Sequence, residues 1–315
     1  MGPGSFAEAG SFAEAGSFAA AVAGGVLVLD GGLSNQLAAA GHDLSDALWS
    51  ARLLADRPQA LVAAHLGYFR AGAQLAISGS YQASFEGFGR RGVGRAGAAR
   101  LIASSVSLAR RAAERAEREG PGRRWVAASV GPYGAVLADG SEYRGRYGLS
   151  VARLERWHRP RVEVLAAAGP DVLALETVPD VDEAEALLRV VRGLGVPVWL
   201  SYSVAGDRTR AGQPLAEAFA VAAGVPEVVA VGVNCCTPTD ADRAVPLAAE
   251  VTGKPVVVYP NSGERWESGR GWAGEPTFRP GRVAGWTAGG ARLVGGCCRV
   301  GEAEISALAR AVRAR

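Results

Sequence analysis

The sequence predicts a single parallel (β/α)8 barrel, the TIM-barrel fold, behind a disordered N-terminal extension. Three observations predict it. Eight short apolar runs rich in β-branched residues alternate with longer amphipathic stretches along the 315 residues. Runs such as VLALET and VVVYP are apolar without alternation, the pattern of strands covered on both faces. Polar and reactive side chains collect at the carboxyl ends of these runs, where barrel enzymes keep their chemistry.

In chain order, the first feature is GSFAEAGSFAEAGSFAA, a six-residue repeat of small residues with no packing face. Residues 1–21 are therefore expected to be disordered and the barrel to occupy 22–315. Ala19–Leu29 could imitate a signal-peptide core, but no Lys or Arg precedes it and it runs straight into Asp30. No segment approaches the roughly 18 apolar residues of a membrane span, so a cytoplasmic protein is expected. The first strand is Val26–Asp30, followed by Gly31-Gly32. A helix opens at Pro58 and carries Leu61, His65, Leu66 and Phe69 on one stripe. The second strand, Gln74–Ser80, runs into Tyr81-Gln82, and a helix from about Arg95 to Glu119 stops at Gly120-Pro121-Gly122. Strands Trp125–Gly131, Asp171–Thr177, Val196–Val204, Val228–Cys235, Pro255–Asn261 and Ala291–Cys298 complete the eight. An open dinucleotide-binding sheet would need G-x-G-x-x-G after the first strand, and only a glycine pair stands there.

Composition narrows the function. With 34 basic and 31 acidic residues the net charge is +3 and no basic run accompanies it, which argues against nucleic-acid and membrane partners. Lys254 is the single lysine, so Schiff-base chemistry has almost no candidate. The four cysteines form two adjacent pairs, too few and too clustered for a secreted disulfide framework.

Cys235 ends the sixth strand and Cys297-Cys298 end the eighth, so all three can converge over the barrel mouth. Three thiolates with an open fourth position have the form of a catalytic zinc site. Cys236 points away from Cys235 on an extended segment and is left as a neighbour. A three-thiolate zinc carries a formal charge of −1, which makes it a weak Lewis acid toward carbonyls or water and suits it to bind a fourth thiol. Moving a thiol pKa down by about 1.5 units to neutrality is worth roughly 2 kcal/mol, so the chemistry suggested is alkyl transfer to a thiol. Hydrolysis is disfavoured because His42, His65 and His158 all lie away from strand ends, and His65 reads as a satisfied core imidazole. The competing reading makes the cysteines small buried hydrophobes.

The ordered set LDGGLSNQL, GSYQAS, VGPYGAVLADGSEYRG, LETVP, VGVNC, VVYPNSGERW and GGCCR resembles the homocysteine S-methyltransferase family over about residues 26 to 310, most of all its short members that use S-methylmethionine. The resemblance implies a zinc-dependent barrel. It implies that Cys235 of the G-x-N-C motif and Cys297 and Cys298 of G-G-C-C bind Zn2+, that L-homocysteine is the thiol, and that Glu176 holds its amino group. Asn234, in the same motif as Cys235, is expected among the substrate-binding residues. Asp30 is a second strand-end carboxylate for the ammonium, and Gly31 and Gly32 could let the backbone approach the substrate, although a salt bridge and a tight turn explain these residues equally well. The implied donor is a sulfonium, S-methylmethionine or S-adenosylmethionine. Its positive charge suits the aromatic faces of Tyr81, Tyr133, Tyr259 and Trp266, with Gln82 and Asn261 orienting its amino acid. No general base is required at the transfer step, and nothing in the pattern requires more than a monomer. A betaine-dependent relative would share the acceptor half. A non-catalytic zinc barrel would instead need a closed four-thiolate site.

Overall fold

The computed structural model describes residue 14 and residues 16–45, 48–267 and 271–314. Eight parallel strands form the sheet: β1 Leu27–Val28, β2 Leu75–Ile77, β3 Trp125–Val130, β4 Val172–Val178, β5 Val198–Tyr202, β6 Val228–Asn234, β7 Val256–Tyr259 and β8 Ala291–Val294. They neighbour one another in the cyclic order β1-β8-β7-β6-β5-β4-β3-β2. The ring closes through a parallel bridge between Leu29 and Leu75 and a hydrogen bond of 3.0 Å from Asp30 N to the Leu75 carbonyl. Each expected run holds one strand, trimmed at its ends. The trimming at β8 matters, because pairing stops at Val294 and leaves Gly295–Cys298 as loop.

Strand parity sorts the apolar residues into two shells. Leu29, Leu75, Trp125, Ala127, Val172, Ala174, Trp199, Val257 and Leu293 point inward and fill the barrel. Their neighbours Val126, Leu173, Leu200, Val231 and Val258 point outward against the helices. This double coverage is why the runs lack alternation. The expected helices are present at Pro58–Ala71, with Leu61, His65, Leu66 and Phe69 buried, and at Arg95–Glu119. Among the described residues no helix is long and apolar enough to cross a membrane.

The expectation of disorder through residue 21 is corrected at its C-terminal end; residues 1–13 and 15 lie outside the described residues. Helix α1, Phe18–Gly24, begins at Ser17, whose side chain caps the Ala20 amide at 3.1 Å. Phe18 and Val22, one helical turn apart, are 3% and 1% exposed and join the interior shell at the amino-terminal end of the barrel. The Phe18 ring meets Trp125 edge-on, centroids 5.5 Å apart. The third copy of the repeat differs from the second by Ala20 in place of Glu14, which leaves the helix without a charge. Phe18→Ala is expected to lower stability by about 3 kcal/mol, read from the urea midpoint, while leaving turnover per folded molecule unchanged.

Candidate active site

At the carboxyl ends of the strands the inward parity continues, but the residues become polar: Ser129, Glu176, Ser201, Asn234 and Tyr259. They form one connected layer. Asn234 Oδ1 accepts from the Thr177 amide at 2.7 Å and the Ser201 hydroxyl at 2.9 Å, and Asn234 Nδ2 donates to Thr177 Oγ1 at 2.7 Å. Asn234 therefore braces a backbone that needs bracing. Thr177 and Cys235 both sit in the left-handed region, at φ 57° and 47°, which is costly for a residue bearing a Cβ.

That turn at Cys235 ends strand parity and brings its sulfur to the others. The Sγ atoms of Cys235, Cys297 and Cys298 all lie within 4.8 Å of one another, and those of Cys297 and Cys298 are 4.0 Å apart. A tetrahedral zinc with 2.3 Å bonds separates its sulfurs by about 3.8 Å, so a slight contraction would complete the site. Among the described residues no fourth Cys, His or carboxylate joins this group. Hydrogen bonds from Cys235 and Cys297 hold the Cys298 thiol well below the usual thiol range. Cys236 is buried in the outer shell instead, and burial pushes its thiol up.

The cysteine loop is held from three sides. The Cys297 amide donates to the Pro260 carbonyl at 2.8 Å, and the Cys298 amide to Asn261 Oδ1 at 3.2 Å. Gly31 and Gly32 form the third side. A Cβ on Gly31 would fall on the Val300 carbonyl and the Tyr68 ring, and one on Gly32 on the Cys297 carbonyl and the Asn35 side chain. Gly32 has φ −66°, so a left-handed turn is not what requires glycine there; docking of the cysteine loop is.

Two carboxylates are buried nearby. Glu176 Oε1 accepts from the Ser129 hydroxyl, and Oε2 from the Tyr259 hydroxyl at 2.9 Å. Burial, opposed by the Ser129 hydrogen bond, pushes the Glu176 carboxyl up to about 7. Asp30 Oδ2 accepts from the Ile77 amide at 2.9 Å, whereas its buried Oδ1 has no hydrogen-bond partner. Burial pushes Asp30 well above the carboxylate range, and repulsion from Glu176 adds to this. A buried carboxyl raised by its neighbour's negative charge favours a cation beside it. Beneath them His65 Nδ1 lies 4.0 Å from Asp30 Oδ2, and neither ring nitrogen has a hydrogen-bond partner. The satisfied imidazole expected from its helical stripe is thus corrected: burial pushes it down to about 4 and keeps it neutral. His158 is buried against Glu183 at 2.8 Å, away from the thiols.

The donor-wall residues expected from sequence divide sharply. Tyr81 stands beside Cys235, Thr177 and Glu176. Tyr259 is 1% exposed and works behind Glu176, also bonding Ser201 at 2.9 Å and Trp199 Nε1 at 3.2 Å. Asn261 positions the Cys298 amide. Gln82 is buried and its amide reaches the Ala135 carbonyl at 3.4 Å. Tyr133 meets Tyr147 and Trp157 edge-on, with centroids 5.3 and 5.0 Å away, in a separate aromatic cluster. The Trp266 side chain lies outside the described residues. Once a strand stops, parity no longer tells a residue facing the mouth from one bracing a loop. Sequence reasoning also passed over Ser129 and Ser201, which the two-residue period through Trp125 and Trp199 marks as inward, and Tyr143, which stands within electrostatic reach of the three sulfurs.

Fold and site together define a (β/α)8 barrel with a three-thiol centre able to hold a metal ion at the carboxyl ends of its strands. The family model described as Homocysteine S-methyltransferase matches residues 27–312. Homocysteine S-methyltransferase 4 of Zea mays is 45% identical over 310 residues, covering 92% of this chain and 90% of its own. Homocysteine S-methyltransferase of Escherichia coli is 45% identical over 291 residues, covering 90% and 94%. The solved metallated form of the homocysteine methyltransferase MmuM from Escherichia coli superimposes with a TM-score of 0.83 at 44% identity, over 90% of this chain and 96% of that one. The chain belongs to the homocysteine S-methyltransferase family.

Proposed function

We propose that the protein is a zinc-dependent enzyme that moves a methyl group from a sulfonium donor, S-methylmethionine before S-adenosylmethionine, to the sulfur of L-homocysteine, giving methionine. The observation that carries this reading is the convergence of Cys235, Cys297 and Cys298 with no fourth side-chain ligand among the described residues. A zinc ion held there would take the substrate thiol as its remaining ligand and remove its proton. The names of the relatives support homocysteine as the acceptor.

The chain's own residues bind and orient. Asp30 Oδ1, buried and unpaired, and Glu176 receive the homocysteine ammonium. Ser129 and Tyr259 hold the Glu176 carboxylate in place, and the incoming cation favours its ionised form. Asn234 keeps Thr177 and Ser201 in register beneath the thiols. In the transfer a bond forms between the homocysteine sulfur and the methyl carbon while the donor's sulfur–methyl bond breaks. Its electron pair stays on the donor sulfur, which leaves as a neutral thioether. No proton moves in that step, so positioning and thiol activation carry the catalysis.

Methionine formation from homocysteine, compared side by side with S-methylmethionine, S-adenosylmethionine, betaine and methyl-tetrahydrofolate, tests the reading. The two sulfonium donors are expected to support turnover, S-methylmethionine with the higher kcat/KM. A rate with betaine above both would overturn the donor assignment.

A further inference from the structure

Tyr143 is the only exposed large hydrophobic side chain among the described residues, 39% exposed. A single part-exposed ring is ordinary on a protein surface; what sets this one apart is that it stands within electrostatic reach of all three sulfurs. It closes the short turn Ser141–Tyr143 in the loop after β3. The guanidinium carbon of Arg210, from the loop after β5, lies 5.7 Å from the centre of its ring.

Two long hydrogen bonds lead from Arg210 to the thiol site. Its Nε donates to Ser203 Oγ at 3.4 Å, and Ser203 Oγ donates to the Cys235 carbonyl at 3.5 Å. Its backbone amide donates to the Ser203 carbonyl at 3.1 Å. The Ser203 hydroxyl and the Tyr143 ring are the contacts of its guanidinium among the described residues. Other arginines, such as Arg70, Arg110 and Arg299, pair with carboxylates. A half-buried guanidinium linked through Ser203 to the Cys235 backbone, with no carboxylate partner among the described residues, is a ready site for a substrate carboxylate.

We propose that Arg210 and Tyr143 form the subsite for a zwitterionic methyl donor, Arg210 taking its carboxylate and the Tyr143 ring facing its cationic sulfur. This inference rests on the sulfonium-donor reading above. Geometry assigns the pair to the donor and not to the acceptor. The ammonium ligands proposed above, Asp30 just past β1 and Glu176 on β4, are buried within the ring, whereas Tyr143 is exposed and Arg210 half-buried on the loops after β3 and β5. In-line attack requires the donor to approach the acceptor sulfur from outside.

The test measures KM for each substrate separately in wild-type, R210Q, R210K and Y143A proteins, with S-methylmethionine and its carboxamide as donors. Wild type is expected to favour the acid over the carboxamide by roughly 30-fold, and R210Q to erase that preference by raising the KM for S-methylmethionine about 30-fold. R210K should keep part of the preference, and Y143A should raise the KM for both donors by about 3-fold. The KM for homocysteine should stay within about twofold throughout. Equal use of acid and carboxamide by wild type would overturn the assignment without reference to any variant's folding. An R210Q protein with unchanged donor KM, or with raised homocysteine KM instead, would also overturn it. A wild type that does not use S-methylmethionine at all fails the donor reading itself, which is a separate result.

Discussion

Alanine at Cys235, Cys297 or Cys298 should remove bound metal and methionine formation together, whereas alanine at Cys236 should keep both. The three sulfurs share one site within 4.8 Å, so losing one leaves two ligands and an acceptor thiol that is neither deprotonated nor positioned. Because positioning alone carries several orders of magnitude, the expected fall in kcat/KM is roughly 1000-fold or more. Cys236 lies in the outer shell, and its loss should cost about 1 kcal/mol of stability and little activity. Metal content by elemental analysis, paired with activity for each variant, separates the two outcomes. A fully active Cys298→Ala protein would sink the ligand assignment.

The second large effect is at Glu176, where binding and stability should move in opposite directions. Glu176→Gln keeps the size of the side chain and removes its charge, so the KM for homocysteine should rise roughly 10- to 100-fold. Burial raises this carboxyl from 4.5 to about 7 in the folded protein. The stability that goes with its protonated form is fully present below pH 4.5 and is lost as pH rises through about 7. Ionising it therefore costs about 3 kcal/mol. Glu176→Gln should thus be more stable than wild type at pH 8 and indistinguishable from it near pH 4.5, as read by denaturant melts. In wild type the KM for homocysteine should rise about fivefold between pH 7 and pH 6 as Glu176 takes up its proton. The variant should lack that component. A variant that binds homocysteine like wild type would remove Glu176 from the site.

Much of this site was legible because strand ends concentrate chemistry in a barrel. The positions of Glu176, Asn234, Cys235, Cys297 and Cys298 follow from counting strands and asking what stands at their carboxyl ends. Asp30 was legible in position, but its unpaired Oδ1 is visible only in three dimensions. The roles of Tyr259, Asn261, Gly31 and Gly32 were not legible. Each serves a neighbour through a contact 35 or more residues away in sequence, Tyr259 at Glu176, Asn261 at Cys298, and Gly31 and Gly32 at the cysteine loop. Helix α1 escaped notice for another reason: repeated composition masked a local signal, a capping serine with Phe18 and Val22 one turn apart.

β1 contributes just two residues to the sheet, and the bridge at Leu29 closes the ring there. The segment leaving β1 carries Asp30, Gly31 and Gly32, and the cysteine loop docks on it through the hydrogen bond from Gly32 to Val300 at 3.0 Å. Metal binding at the three thiols is therefore expected to be linked to the order of this segment. An ion held by Cys235, Cys297 and Cys298 would tie the end of β6 to the loop after β8 and, through that loop, steady the segment leaving β1 like a clasp. At a free concentration a thousandfold above its dissociation constant it would add about 4 kcal/mol to the folded state. The amides of Asp30 through Leu33 should then be where hydrogen exchange slows most when the metal is added, far more than those of β4 or β5.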